Sequence, residues 1–173
     1  MKYMIISDIH GDIYSLNKVL DIYVKERCNN LILLGDLFNY GIDLNRDAII
    51  DRLNLMRDNI IYVRGNCDNN VNGILFDTPY SLEIDLNNKK VFLNHGHLYS
   101  NEYLLGSNYD IIISGHSHIA NIEQIHDKLL LNPGSISKSR RGENSFMIID
   151  NDIITIRNLD NKIILKENIV IYL

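Results

Sequence analysis

The chain has 173 residues, 46% hydrophobic and 23% charged, with a formal net charge of −5. That is the balance of an ordinary globular protein, with room for one sizeable core and not two, so a single domain over residues 1–173 is expected. The acidic balance excludes a general electrostatic grip on nucleic acid or an anionic membrane, since both need a basic face. Two cysteines, Cys28 and Cys67, are too few for a disulfide framework, and no CxxC pair suggests a zinc knuckle. The start, MKYMIISDIHGD, reads neither as a signal peptide nor as a transit sequence, and no apolar stretch approaches the roughly 18 residues of a bilayer span. A cytoplasmic protein is expected.

The first two thirds alternate apolar runs with helical patterns. Lys2 to Ser7 reads as a strand. Tyr14 to Arg27 follows as a helix, with Leu16, Val19, Leu20, Tyr23 and Val24 at helical spacing. Leu31 to Leu34 is a second strand, Arg46 to Asp58 a second helix, and Ile60 to Val63 a third strand. Strands separated by helices imply right-handed crossovers and a parallel sheet, with both faces covered.

After Pro79 the period changes. Ser81 to Asp85 and Lys90 to Asn94 flank an NNKK turn and read as a hairpin; Glu102 to Leu105 suits a short helical turn before Ile111 to Ser114. From Asn121 onward the spacing predicts strands at Ile122–Ile125, Leu129–Leu131, Phe146–Ile149, Ile153–Arg157 and Ile163–Lys166, with Asp and Asn turns between them. Two sheets packed face to face with helices outside would bury this pattern.

Five of the apolar runs end alike. KYMIIS is followed by Asp8 and His10, LILLG by Asp36, IIYVRG by Asn66, KVFLN by His95, and DIIISG by His116 and His118. Ligands of open α/β sheets bind beyond the carboxyl ends of the strands, so residues at five strand ends can converge on one place. Five of the six histidines fall in these segments. Taken singly, a DxH, an Asp after Gly or an Asn in a turn is more often structural than ligating. Five such coincidences together are not. Oxygen and imidazole donors suit Mn, Fe, Ni, Zn or Co, and there are too many for one tetrahedral zinc. Two adjacent ions sharing one carboxylate would use them all.

The ordered set DxH (Asp8, His10), GD (Asp36), GNCD (Gly65 to Asp68), HGH (His95 to His97) and GHSH (Gly115 to His118), extended by NPGS (Asn132 to Ser135), resembles the calcineurin-like metallophosphoesterases. Within them it is most similar to the small bacterial and archaeal phosphodiesterase branch that also contains the retromer-subunit relatives. The resemblance implies a four-layer α/β/β/α sandwich, the metallo-dependent phosphatase fold. It implies that Asp8, His10 and His118 hold one divalent ion, that Asn66, His95 and His116 hold a second, and that Asp36 bridges them. Manganese is the first expectation, and nickel, cobalt, iron or zinc fit the same donors. The implied reaction is hydrolysis of a small phosphoester, foremost a diester, by a hydroxide held between the ions.

Where many relatives carry His after GN, this chain has Cys67, a thiol poorly matched to proton transfer at neutral pH. His97 and Asp68 are therefore the candidate catalytic residues, His97 as proton donor and Asp68 as a partner that orients a ligand. Arg140 and Arg141 follow NPGS and read as a solvated basic pair within reach of substrate. The same motifs also fit a phosphomonoesterase, a dinucleotide polyphosphate hydrolase, or a non-catalytic protein-binding scaffold; intact DxH and GHSH favour catalysis. The apolar C-terminal strands allow a homo-oligomer without requiring one.

Overall fold

The computed structural model describes residues 1–40, 43–68 and 78–169. The first sheet has six strands in the order β11-β10-β9-β1-β2-β3, and the second has five in the order β4-β5-β6-β8-β7. In the first, β1 (Lys2–Ile6), β2 (Asn30–Leu33) and β3 (Ile60–Tyr62) run parallel, joined through α1 (Ile13–Lys25) and α2 (Arg46–Asn54). The chain then builds β4 (Ser81–Leu86), β5 (Lys89–Asn94), α3 (Asn101–Leu105), β6 (Ile111–Ser114), β7 (Asn121–Ile125) and β8 (Lys128–Asn132). It returns to the first sheet with β9 (Ser145–Asp150), β10 (Ile153–Asn158) and β11 (Ile163–Asn168), all antiparallel to their neighbours.

The layers follow from strand alternation. Ile5, Ile32 and Met147 of the first sheet meet Leu93, Ile113 and Leu131 of the second in one buried cluster between the sheets. The other face of the first sheet, with Met4, Ile6, Leu31 and Leu33, packs on Leu16, Val19 and Leu20 of α1 and Ile49 and Leu53 of α2. Both faces of β1 and β2 are thus buried, which is why they read as continuous apolar runs. On the far face of the second sheet Phe92 and Ile112 pack with Leu104 of α3. Helix, sheet, sheet and helix make four layers, the last one thin.

Local chemistry sets the boundaries. The Asp12 carboxylate accepts from the backbone N–H groups of Tyr14 and Ser15, capping α1 one residue earlier than the spacing indicates. The second helix is shorter than expected: α2 ends at Asn54, Leu55 is exposed, and Arg57–Asn59 forms a separate 3₁₀ turn. Only Ile49 and Leu53 of α2 are buried, so no apolar stripe holds a further α-helical turn. The NNKK segment closes a two-residue hairpin in which Asn87 and Asn88 have φ of 51° and 63°, the pair of left-handed residues that such turns need. Among the described residues no helix is long and apolar enough to cross a membrane.

Candidate metal centre

The carboxyl ends of β1, β2, β3, β5 and β6 open onto one rim, where the loops tie one another in place. Beyond β1, Asp8 N–H donates to Gly35 O (3.1 Å), His10 N–H to Asp36 O (3.0 Å) and Gly11 N–H to Leu37 O (2.9 Å). His116 N–H donates to Asp8 Oδ2 (3.0 Å). Asp8, His10, Asp36, His116 and His118 all have φ between 46° and 64°, a conformation that non-glycine residues seldom adopt. Each costs roughly 1–2 kcal/mol that the surrounding bonds must offset. Five such residues on one rim mark backbone bent to aim side chains. Gly35 is required for the same reason: a Cβ there would lie 2.4 Å from Gly65 N, because the turns after β2 and β3 touch backbone to backbone.

The side chains aim lone pairs at lone pairs. His118 Nδ1 is 2.7 Å from Lys138 O, and His95 Nδ1 is 2.6 Å from Leu34 O. A carbonyl only accepts, so both Nδ1 atoms carry hydrogen and both Nε2 atoms of the neutral rings are bare. Yet His118 Nε2 is 3.1 Å from Asp8 Oδ1 and 3.2 Å from His10 Nε2. His95 Nε2 is 3.1 Å from Asn66 Oδ1 and 3.4 Å from Asp36 Oδ2. Asp36 Oδ2 is also 3.8 Å from His10 Nε2, which places it between the two groups. Acceptors confronting acceptors in a buried setting call for positive charge between them, which a metal ion or a proton on Nε2 supplies. Asp8 Oδ1 and His10 Nδ1, both buried, have no hydrogen-bond partner.

Electrostatics agrees. The Asp8 carboxylate beside it raises the His118 ring above its ordinary pKa. Burial alone would lower His95, but adjacent Asp36 raises it. Burial opposes ionisation of Asp36 too, and the His95 ring and Cys67 N–H outweigh it, bringing the carboxyl down to about 2. Burial keeps His10, His97 and His116 below the usual imidazole value.

Among the described residues the His, Cys and carboxylate donor atoms form three sets within 4.8 Å: Asp8, His10 and His118; Asp8, Asp36 and His95; and His10, Asp36 and Cys67. The first is the triad expected for one ion. For the second ion, Asn66 and His95 stand together, while His116 contributes a ring whose centroid is 5.1 Å from that of His95 and lies outside the three sets. Cys67 has its thiol in the third set; burial and Asp36 push that thiol up to about 12, so it is protonated. It accepts a hydrogen bond from Asn66 Nδ2 at 3.3 Å.

Asp68 needs correction as a catalytic residue. It is fully buried, and its carboxylate accepts from Asp36 N–H, Leu37 N–H, Gly65 N–H and the Tyr62 hydroxyl at 2.8 to 2.9 Å. It is not among the residues that line the cleft, and it fixes the Asp36 and Asn66 turns. His97 stands at the side of the centre, its ring 5.2 Å from that of His95 and 6.1 Å from those of His116 and Tyr80.

The sequence marks NPGS and Arg140 without showing what they contact, and gives no signal for Ser137, Lys138 or Asn39. Ser135 and Ser137 hydroxyls both donate to Asp8 O (2.8 and 2.9 Å), and Asn132 Nδ2 donates to Gly115 O (2.8 Å). The NPGS loop thus clasps the DxH and GHSH turns together. Lys138 and Arg140 join His10, Asp36, Asn66, His116 and His118 around a cleft of about 350 Å³. Asn39 bridges His10 O and the Lys138 ammonium, both at 2.6 Å.

Known proteins are similar to this chain in sequence and fold. Phosphodiesterase YfcE of Escherichia coli (strain K12) is 33% identical over 181 residues, covering 96% of this chain and 97% of its own. The solved structure of YfcE, described as a phosphoesterase, superposes with a TM-score of 0.89 over 98% of this chain and 100% of that one, at 32% identity. Phosphodiesterase MJ0936 of Methanocaldococcus jannaschii is 30% identical over 166 residues, covering 88% and 94% of the two chains. Vps29 of Entamoeba histolytica, solved in complex with Zn²⁺, shares the fold: 23% identity, TM-score 0.70, 98% of each chain. The family model of the calcineurin-like phosphoesterase superfamily domain matches residues 1–152, which takes in every strand end that feeds the rim. On these grounds the chain belongs to the calcineurin-like phosphoesterase superfamily.

Proposed function

We propose that the protein is a binuclear metal-dependent phosphodiesterase that cleaves a small phosphodiester to a monoester and an alcohol. The observation that carries this reading is the confrontation of bare acceptors: Asp8, His10 and His118 on one side, Asn66 and His95 on the other, with Asp36 between them. His116 completes the second set. Manganese is the first candidate, with nickel, cobalt, iron and zinc compatible with the same donors. The phosphodiesterase names of the E. coli and M. jannaschii relatives support the diester preference.

Two bound divalent ions supply Lewis acidity, acidifying a water and offsetting charge on the phosphate oxygens. The chain does the rest. Lys138 and Arg140 line the cleft and draw the phosphate to it, which an acidic protein needs to do locally. The backbone carbonyls of Lys138 and Leu34 hold the His118 and His95 rings in the tautomer that leaves Nε2 free to ligate. Oxygen from water adds to phosphorus, the bond to the departing alcohol breaks, and that oxygen takes a proton; His97 is the ring placed beside the centre to deliver it. Burial lowers its pKa, so the proton it gives is one it first takes up, and the proton released by the attacking water balances it. The substrate is a small molecule in the cytoplasm; the net charge of −5 gives no general hold on nucleic acid or anionic lipid.

The test is hydrolysis of bis(4-nitrophenyl) phosphate beside 4-nitrophenyl phosphate by metal-stripped protein given back Mn, Ni, Co, Zn or Mg singly. Metal-dependent turnover of the diester, with the monoester much slower, is expected. Two ions bound by elemental analysis with no turnover under any metal would overturn the reading.

A further inference from the structure

The segment that leaves β2 carries one more polar group to the metal cleft. Leu37 N–H donates to Asp68 Oδ1 (2.9 Å), Gly11 N–H donates to Leu37 O (2.9 Å), and Asn39 Nδ2 donates to His10 O (2.6 Å). The chain up to Asn39 is thereby tied to the rim, and the next side chain, Tyr40, lines the cleft together with Asn66 and Cys67. Tyr40 is 69% exposed, so core burial does not account for where it lies. A hydrogen bond does: Asn66 Nδ2 donates to the Tyr40 hydroxyl at 2.8 Å.

Asn66 belongs to the second donor group through Oδ1, which stands 3.1 Å from His95 Nε2. With Oδ1 turned to the centre, the Nδ2 hydrogens go to the Tyr40 oxygen and, at 3.3 Å, to Cys67 Sγ. A phenol has one hydrogen and accepts through its oxygen, so Tyr40 takes the Asn66 bond and keeps its own proton to give. The acceptor it meets within the protein is the Cys67 sulfur, which is a weak one. A phosphate oxygen in the cleft is a charged acceptor, and a hydrogen bond to it is roughly twice as strong as one between neutral groups. Lys138 and Arg140 bring positive charge to the same cleft; Tyr40 adds a neutral donor beside Asn66.

We propose that Tyr40 is a further catalytic residue: its hydroxyl, held by Asn66, donates to a non-bridging oxygen of the phosphate being cleaved. The proposal rests on the phosphodiesterase reading for its substrate. As the attacking oxygen adds to phosphorus, a donor already in place stabilises the oxygen it faces without having to reorganise. The hydroxyl keeps its proton throughout, so the contact asks nothing of its ionisation, and delivery of a proton to the departing alcohol stays with His97.

Tyr40→Phe removes the hydroxyl and keeps the exposed ring, so the melting temperature of the variant should match that of the wild type. Both proteins, loaded with Mn²⁺, are compared in metal content and affinity, in binding of inorganic phosphate by calorimetry, and in hydrolysis of bis(4-nitrophenyl) phosphate. Metal binding is expected to be the same in the two, while phosphate affinity and kcat/KM each fall about tenfold in the variant. Equal phosphate affinity in the two proteins overturns the proposal, and so does a wild type that binds no phosphate. A variant that loses metal in step with activity also overturns it, since Tyr40 would then act only by steadying Asn66. A wild type that binds phosphate through Tyr40 yet hydrolyses no diester leaves the contact standing and sinks the phosphodiesterase reading, so the two fail separately.

Discussion

Two charged clusters, one at the start of β1 and one at the rim where both sheets end, are built on opposite principles. Beside the start of β1, Glu26 accepts from Arg157 Nη1 and Asn161 Nδ2 (both 2.9 Å), and Lys2 lies 3.0 Å from Asp150 and 3.8 Å from Glu26. Every charge there has its opposite. At the carboxyl ends of the strands, Asp8, Asp36, His10, His95 and His118 turn acceptors on one another, all but His95 on backbone held in left-handed conformations. The first cluster is complete as a protein; the second becomes complete only with cations. Strain and unmet acceptors at one end of a sheet, beside full pairing elsewhere, separate a site built for a ligand from ordinary surface electrostatics.

The sharpest way to break that contrast is Asp36→Asn, which keeps the shape and removes the shared charge. We expect diester turnover to fall about 10³-fold, worth about 4 kcal/mol, with loss of bound metal by elemental analysis. Added Mn²⁺ should raise the melting temperature of the wild type by mass action and leave the variant unmoved. Two metals and intact activity in Asp36→Asn would remove it from the centre.

Next in size is Asp68→Ala. It leaves three backbone N–H groups and the Tyr62 hydroxyl without an acceptor and should destabilise the metal-free protein by about 3 kcal/mol in urea unfolding. Full stability with impaired turnover would restore a direct catalytic role. His97→Ala should then slow diesters with alkyl leaving groups about 10²-fold while sparing activated aryl esters. An equal loss on both would make His97 a binding residue.

The paired cluster should respond more weakly. Arg157→Met should cost about 1 kcal/mol, because the pair is only partly buried. Asn161, followed by Arg157 and Lys2, holds the Glu26 carboxyl below its ordinary pKa despite the opposing effect of burial. Its stabilisation is therefore complete above the unfolded pKa, about 4.3, and fades as pH falls through the lower folded value. Equilibrium unfolding between pH 6 and 2 should show the fade in the wild type and a smaller one in Arg157→Met. The metal centre has the opposite sign. His95 and His118 are raised, so protons compete with metal there and affinity should rise with pH through their titration. Calorimetry in two buffers would register the protons released.

The sequence reaches far into this fold because its strands are buried on both faces and end abruptly in polar residues. Runs such as Leu31 to Leu34 and Ile111 to Ser114 announce themselves, and the donors after them fall at carboxyl ends whatever the details of packing. The length of α2 was harder to read, since Ile49, Ile50, Leu53 and Met56 have helical spacing although only two of the four are buried. Period signals a compatible helix, and tertiary contact decides where it stops.

The sequence by itself determined which donors gather at the rim, since an apolar run fixes where its strand ends. Only the tertiary structure decided how they face one another. Asp68 is indistinguishable from a ligand in the string GNCD, and turns inward only because the turns after β2 and β3 present three N–H groups to it. NPGS signals a loop, yet its clasp on Asp8 O spans more than 120 residues of chain. Asn94 reads as the last residue of a strand, and its two unpaired amide atoms emerge only once three strand ends stand side by side. Strand position is local; side-chain direction at a strand end depends on hydrogen bonds from distant segments.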